Sequence, residues 1–126
     1  MNEKIAAAIR ERVGEGKLAC ETAFDIAGEL DVTPRAVGET ADEIGLRLCR
    51  CQLGLFGYGE RRRIVEPAAD VSPELTQAID QGLILGRLPC AVAWALAARF
   101  GMTKLDVSNS VEALEVRLSQ CQLGAF

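Results

Sequence analysis

The chain has 126 residues with 49% hydrophobic and 25% charged side chains, a composition that favours a folded core over disorder. Its net charge is −4, the wrong sign for a generic nucleic-acid coat. Histidine is absent, which excludes His-based triads, His metal ligands and imidazole proton shuttles.

No apolar stretch reaches the length needed to cross a bilayer, and the first residues lack the layout of a signal peptide. Five cysteines without extracellular signals point to free thiols and a cytoplasmic location.

Shifting the chain by 70 positions lays residues 3–56 over 73–126 without a gap, and 16 of the 54 pairs are identical. The pairs run from Ala8/Ala78 through Cys20/Cys90 and Val37/Val107 to Phe56/Phe126, with Lys17/Arg87 and Phe24/Trp94 among the conservative ones. The reading is two copies of one unit, residues 1–56 and 73–126, joined by a linker or wing over 57–72.

Each copy reads as three helices and a short extended tail. The first helix covers roughly 3–13 and 73–83; Ser72, Pro73 and Glu74 form a cap, a first-turn proline and an acid near the positive helix end. Gly14, Gly16 and Gly86 supply the stops. The second helix covers roughly 18–30 and 88–100, with Ala23, Ile26, Ala27 and Leu30 on one face and Ala93, Leu96, Ala97 and Phe100 on its copy.

The third helix starts at Thr33 or Thr103, whose hydroxyl can cap a free backbone N–H. Val37, Ala41 and Ile44 form its apolar stripe, and Val107, Val111 and Leu114 form the copy. Residues 46–49 and 116–119 then alternate like short strands, and both copies end in Cys-Gln-Leu-Gly-x-Phe, where glycine allows a turn and phenylalanine anchors it.

Helices two and three are joined by Asp31, Val32 and Thr33 in one copy and by Gly101, Met102 and Thr103 in the other. With Ala97, Gly101, Met102 and Val107, matched by Ala27, Asp31, Val32 and Val37, each segment resembles the helix-turn-helix superfamily over about 24 residues. Asp31 departs from the usual turn glycine but tolerates the left-handed conformation better than most residues.

The resemblance implies a mainly α fold of two tandem three-helix units packed about a pseudo-twofold, each followed by a short β element. It also implies a small DNA-binding or transcription-associated protein with double-stranded DNA as partner and Arg35, Lys104, Ser108 and Asn109 facing bases. Glu39, Asp42 and Glu43 argue against this, because they would face phosphates.

Residues 46–63 hold Arg47, Arg50, Arg61, Arg62 and Arg63 against Glu60 alone, +4 in a −4 protein, so the remainder carries −8. Residues 61–65 are expected to run back beside 46–50 as a two-stranded wing that puts these arginines on phosphates. The plainer alternative is a solvated linker face.

The rival function is a non-catalytic protein-interaction module that keeps the helix-turn-helix packing without DNA; homodimerisation is compatible with either reading. A further alternative is a thiol or metal sensor built on the repeated Cys20, Cys51, Cys90 and Cys121, although their 31-residue gaps do not resemble a zinc ribbon and small core residues explain them. The glycine-rich stretch 54–59 lacks dinucleotide spacing and a phosphate-loop ending. No acid stands in a catalytic spacing, so neither an enzyme nor a cofactor is expected.

Overall fold

A computed structural model describes residues 2–13 and 16–126; Gly14, expected to help end the first helix, lies outside them. In chain order the described residues form α1 (Glu3–Val13), β1 (Leu18–Ala19), α2 (Cys20–Leu30), α3 (Pro34–Glu43) and β2 (Leu48–Cys49). A short 3-10 turn (Gly59–Arg61) precedes α4 (Pro73–Gly82), β3 (Arg87–Pro89), α5 (Cys90–Phe100), α6 (Lys104–Ala113) and β4 (Arg117–Ser119). The fold is mainly helical with a few short strands.

The helix ends follow local chemistry. Ser72, Thr33 and Thr103 each accept the amide three residues on, at 3.1, 3.1 and 3.0 Å, so one orphan donor of α4, α3 and α6 is satisfied by its own cap. At the other ends, α2 and α5 close on Asp31 and Gly101, both left-handed, and the next amides, of Val32 and Met102, return to the carbonyls of Ala27 and Ala97. The turn therefore forms with aspartate as well as with glycine.

Two sequence expectations are corrected. Residues 18–19 and 88–89 do not open the second helices; they are strand residues, and the helices begin at Cys20 and Cys90. Nor do residues 61–65 form a wing with 46–50. Instead β1 pairs in parallel with β2 (Leu18 opposite Leu48), and β3 pairs in parallel with β4 (Arg87 opposite Arg117). The physical reason is connectivity: a parallel pair needs a long crossover, and the helix pairs α2–α3 and α5–α6 supply it. Residues 61–65 are left to close against the tail, where the Ile64 amide donates to the Gly54 carbonyl at 2.8 Å.

The apolar side chains form two clusters that exchange segments. One gathers Ile5, Ile9, Leu18, Ile26, Val37 and Ala41 from residues 2–56, yet it also buries Leu123 from the end of the chain. The other gathers Leu75, Ile79, Leu88, Leu96, Val107 and Val111, and buries Cys51 and Leu53 from the first half. Each exchanged leucine removes a whole side chain from water, on the order of 1.5–3 kcal/mol.

The exchanged tails share one shape. In each, the glycine amide donates to the cysteine carbonyl (Gly54 to Cys51 at 2.8 Å, Gly124 to Cys121 at 2.9 Å). The cysteine amide in turn donates to the phenylalanine carbonyl (Cys51 to Phe56 at 3.2 Å, Cys121 to Phe126 at 2.9 Å). Gly54 and Gly124 have φ of +78° and +87°, which explains why the motif places glycine there.

Candidate functional site

The nine residues expected to contact DNA do not assemble into one exposed reading face. On α6, Ser108 is only 1% exposed and cannot reach a base edge. Asn109 accepts the Glu66 amide on its Oδ1 at 3.0 Å and the Ala68 amide on its own carbonyl at 3.0 Å, so the linker lies along the helix. Lys104 holds its ammonium over the Trp94 ring, 4.4 Å from the centroid.

On α3, Arg35 is exposed but donates from Nε to Glu39 at 3.2 Å, one helical turn on. Arg61 pairs with Glu66 at 3.2 Å, and Arg63 crosses to Glu112 of α6 at 3.0 Å. Arg47, Arg50 and Arg62 are exposed and make no ion pair among the described residues.

The repeated cysteines lie in the exchange region. Cys20 and Cys90 begin α2 and α5, and the Gln52 and Gln122 side-chain amides reach their sulfurs at 3.7 and 3.5 Å. Cys51 shares a core with Cys90, and Cys121 packs against the core that holds Cys20. Burial pushes the Cys20 thiol up to about 11 and raises Cys51 and Cys90 as well, so these sulfurs are held as thiols at neutral pH. Among the described residues no group of three or more Cys, Asp or Glu is arranged to hold a metal ion.

A groove of about 870 Å³ is bounded by α6, the β4 segment and both exchanged tails. Val111, Val116 and Leu118 give it an apolar lining, and Phe56 and Phe126 meet edge to face across it with centroids 6.4 Å apart. Arg63, Arg87 and Arg117 stand on its walls with Glu112 and Glu115. Arg87 and Arg117 are strand neighbours, exposed, and unpaired among the described residues, whereas Arg63 is held by Glu112. Ser108 also lines the groove, and its buried hydroxyl has no hydrogen-bond partner among the described residues.

Sequence reasoning missed Arg87 and Arg117 because it weighed charge by local density, and neither lies in the arginine-rich stretch. The available signal was in the internal alignment, where Arg47/Arg117 is identical and Lys17/Arg87 keeps a positive charge in both aligned segments.

A second, smaller groove of about 320 Å³ lies against Asp42, Leu46, Arg47 and Leu48, the alignment counterparts of residues around the larger one. A Cβ at Gly38 would stand 1.9 Å from the Leu123 carbonyl oxygen, so the bare glycine lets that tail press onto α3. The alignment counterpart of Gly38 on α6 is Ser108.

Comparisons with protein-family models, with curated proteins and with solved structures find no match to this chain. Among the described residues no helix is long and apolar enough to cross a membrane.

Proposed function

We propose that this chain is a non-catalytic interaction module made of two tandem helix-turn-helix-like units, packed about a pseudo-twofold, whose third helices serve internal packing instead of DNA. The observation that carries this reading is that one of the chain's own segments lies on a face of each third helix. The linker occupies Asn109 of α6, and the Leu123 tail sits on Gly38 of α3. A helix that enters the major groove needs its early residues free to meet base edges.

Support for the duplicated arrangement comes from counterparts that touch each other. Phe24 stacks on Trp94 and Phe56 meets Phe126, both pairs 70 residues apart. A residue meets its own counterpart only near a twofold axis, and reciprocal tail exchange is what such an axis generates.

The partner that suits this surface is a protein with a basic face, since the residues outside 46–63 carry −8. Five free cysteines suit a reducing cytoplasm.

DNA binding is the second reading, and it rests on Arg47, Arg50 and Arg62, the members of the arginine-rich stretch without an ion pair among the described residues. Fluorescence anisotropy with mixed-sequence duplex DNA, at about 50 mM salt and about 10 µM protein, separates the two. The interaction reading expects no binding. Saturable binding that weakens steeply with salt, with a shallower slope after Arg61, Arg62 and Arg63 are replaced by alanine, establishes the DNA reading instead.

A further inference from the structure

We propose that the groove between α6, β4 and the exchanged tails is a binding site for a small organic monocarboxylate with a flat or branched apolar body. The site is independent of any macromolecular partner. Its size falls within the range of small-molecule pockets, and its lining sets apolar side chains beside charged ones.

Charge selects the anion. Arg63 is neutralised by Glu112 at 3.0 Å, and Glu115 offsets one of the two remaining guanidinium groups. The groove therefore keeps a net charge of about +1, which suits a single carboxylate better than a dianionic phosphate. Arg87 and Arg117 are opposite one another in the parallel register, so two planar donors stand side by side with no acidic partner of their own among the described residues. Guanidinium groups in this state match a carboxylate bidentately.

The body of the ligand is selected by the rest of the groove. Val111, Val116 and Leu118 offer apolar surface, and the edge-to-face pair Phe56 and Phe126 offers an aromatic wall. The first half keeps only the smaller groove, where the Leu123 tail presses onto Gly38.

The test is amide NMR of the full chain titrated with benzoate, 2-naphthoate and 4-methylpentanoate, each to about 10 mM. The expected result is saturable shifts at Val111, Val116 and Leu118 with 2-naphthoate, and affinity for its uncharged amide lower by about tenfold or more. A folded Arg87→Gln/Arg117→Gln variant, verified by circular dichroism, should lose about tenfold or more in 2-naphthoate affinity; both side chains are exposed. Absence of saturable shifts with all three acids overturns the proposal. So do shifts centred elsewhere, equal affinity for acid and amide, an unweakened double variant, or displacement of 2-naphthoate by inorganic phosphate at equal concentration.

Discussion

Phe24 of α2 and Trp94 of α5 stack with ring centroids 4.3 Å apart and planes tilted by 40°, although 70 residues separate them in the chain. Trp94 packs against both apolar clusters, so this contact is a seam between the two halves. An aromatic pair adds about 0.5–1.5 kcal/mol beyond the area it buries.

The same tryptophan carries a defect, since its buried Nε1 has no hydrogen-bond partner among the described residues. Trp94→Phe keeps the ring stack and removes the orphan donor, whose desolvation costs about 1–3 kcal/mol. Loss of ring volume opposes that gain, so urea denaturation should place Trp94→Phe within about 1 kcal/mol of the parent. Trp94→Ala, which removes the stack altogether, should cost about 2–4 kcal/mol. A Trp94→Phe loss as large as that of Trp94→Ala contradicts this account.

Gly38 and Leu123 give a sharper prediction. A Cβ built on Gly38 lies 1.9 Å from a backbone oxygen, and a carbonyl in a closed turn has little freedom to move aside. Gly38→Ala should therefore expel the tail and expose Leu123, at a cost of about 2–4 kcal/mol even though alanine is the better helix former. Hydrogen exchange reads the mechanism directly: the Cys121 and Gly124 amides, bonded within the tail, should lose protection before those of α4. Preserved stability shows that the tail is not seated as described.

Much of the local structure was legible. The caps at Ser72, Thr33 and Thr103, the left-handed turns at Asp31 and Gly101, and the apolar stripes at Val37 and Val107 follow from short-range chemistry visible in the chain. The parallel β1–β2 pairing was not legible, because two-residue strands have no periodicity to detect and Leu18 fits a helix face equally well. The exchange of Leu53 and Leu123 was hidden for a different reason. Both tails are equally apolar, and nothing local distinguishes packing on one's own core from packing on the other. The groove depends on that exchange, so it became visible only with the tails in place.

Leu85 is 99% exposed and has φ of +51°, in a turn closed by paired Ile84 and Arg87 backbone hydrogen bonds of 2.7 and 3.1 Å. With Gly86 at +78° this is a two-residue turn with both central residues left-handed, the geometry that favours Asn-Gly. Leucine there pays a steric penalty of about 1–2 kcal/mol without any burial in return. Leu85→Asn should raise stability by about 1 kcal/mol, or roughly 2–5 °C in Tm by differential scanning calorimetry. An unchanged or lower Tm means that the leucine contributes a contact this turn does not display.

Cys20 links the exchanged region to pH. Its thiol is pushed from the ordinary value of 9.0 up to about 11, first by burial, with the Gln52 hydrogen bonds opposing. The folded chain thus keeps a proton that the unfolded chain releases from about pH 9 upward. Between the two values the unfolded state binds fewer protons, so stability falls as pH rises. Stability from this group is fully present below pH 9 and is lost progressively toward 11, on the order of 2–3 kcal/mol. Cys51 and Cys90 are raised in the same direction by burial, as is the hydroxyl of Tyr58, so the alkaline fall has several contributors. Urea midpoints measured from pH 7 to 11 should decline, and Cys20→Ala should decline less steeply above pH 9 whatever its stability at neutral pH. The sulfur should also react slowly with a thiol reagent at neutral pH in the folded chain and at an ordinary rate once unfolded. A parent and a Cys20→Ala variant with parallel pH profiles would show that Cys20 ionises as freely in the fold as outside it.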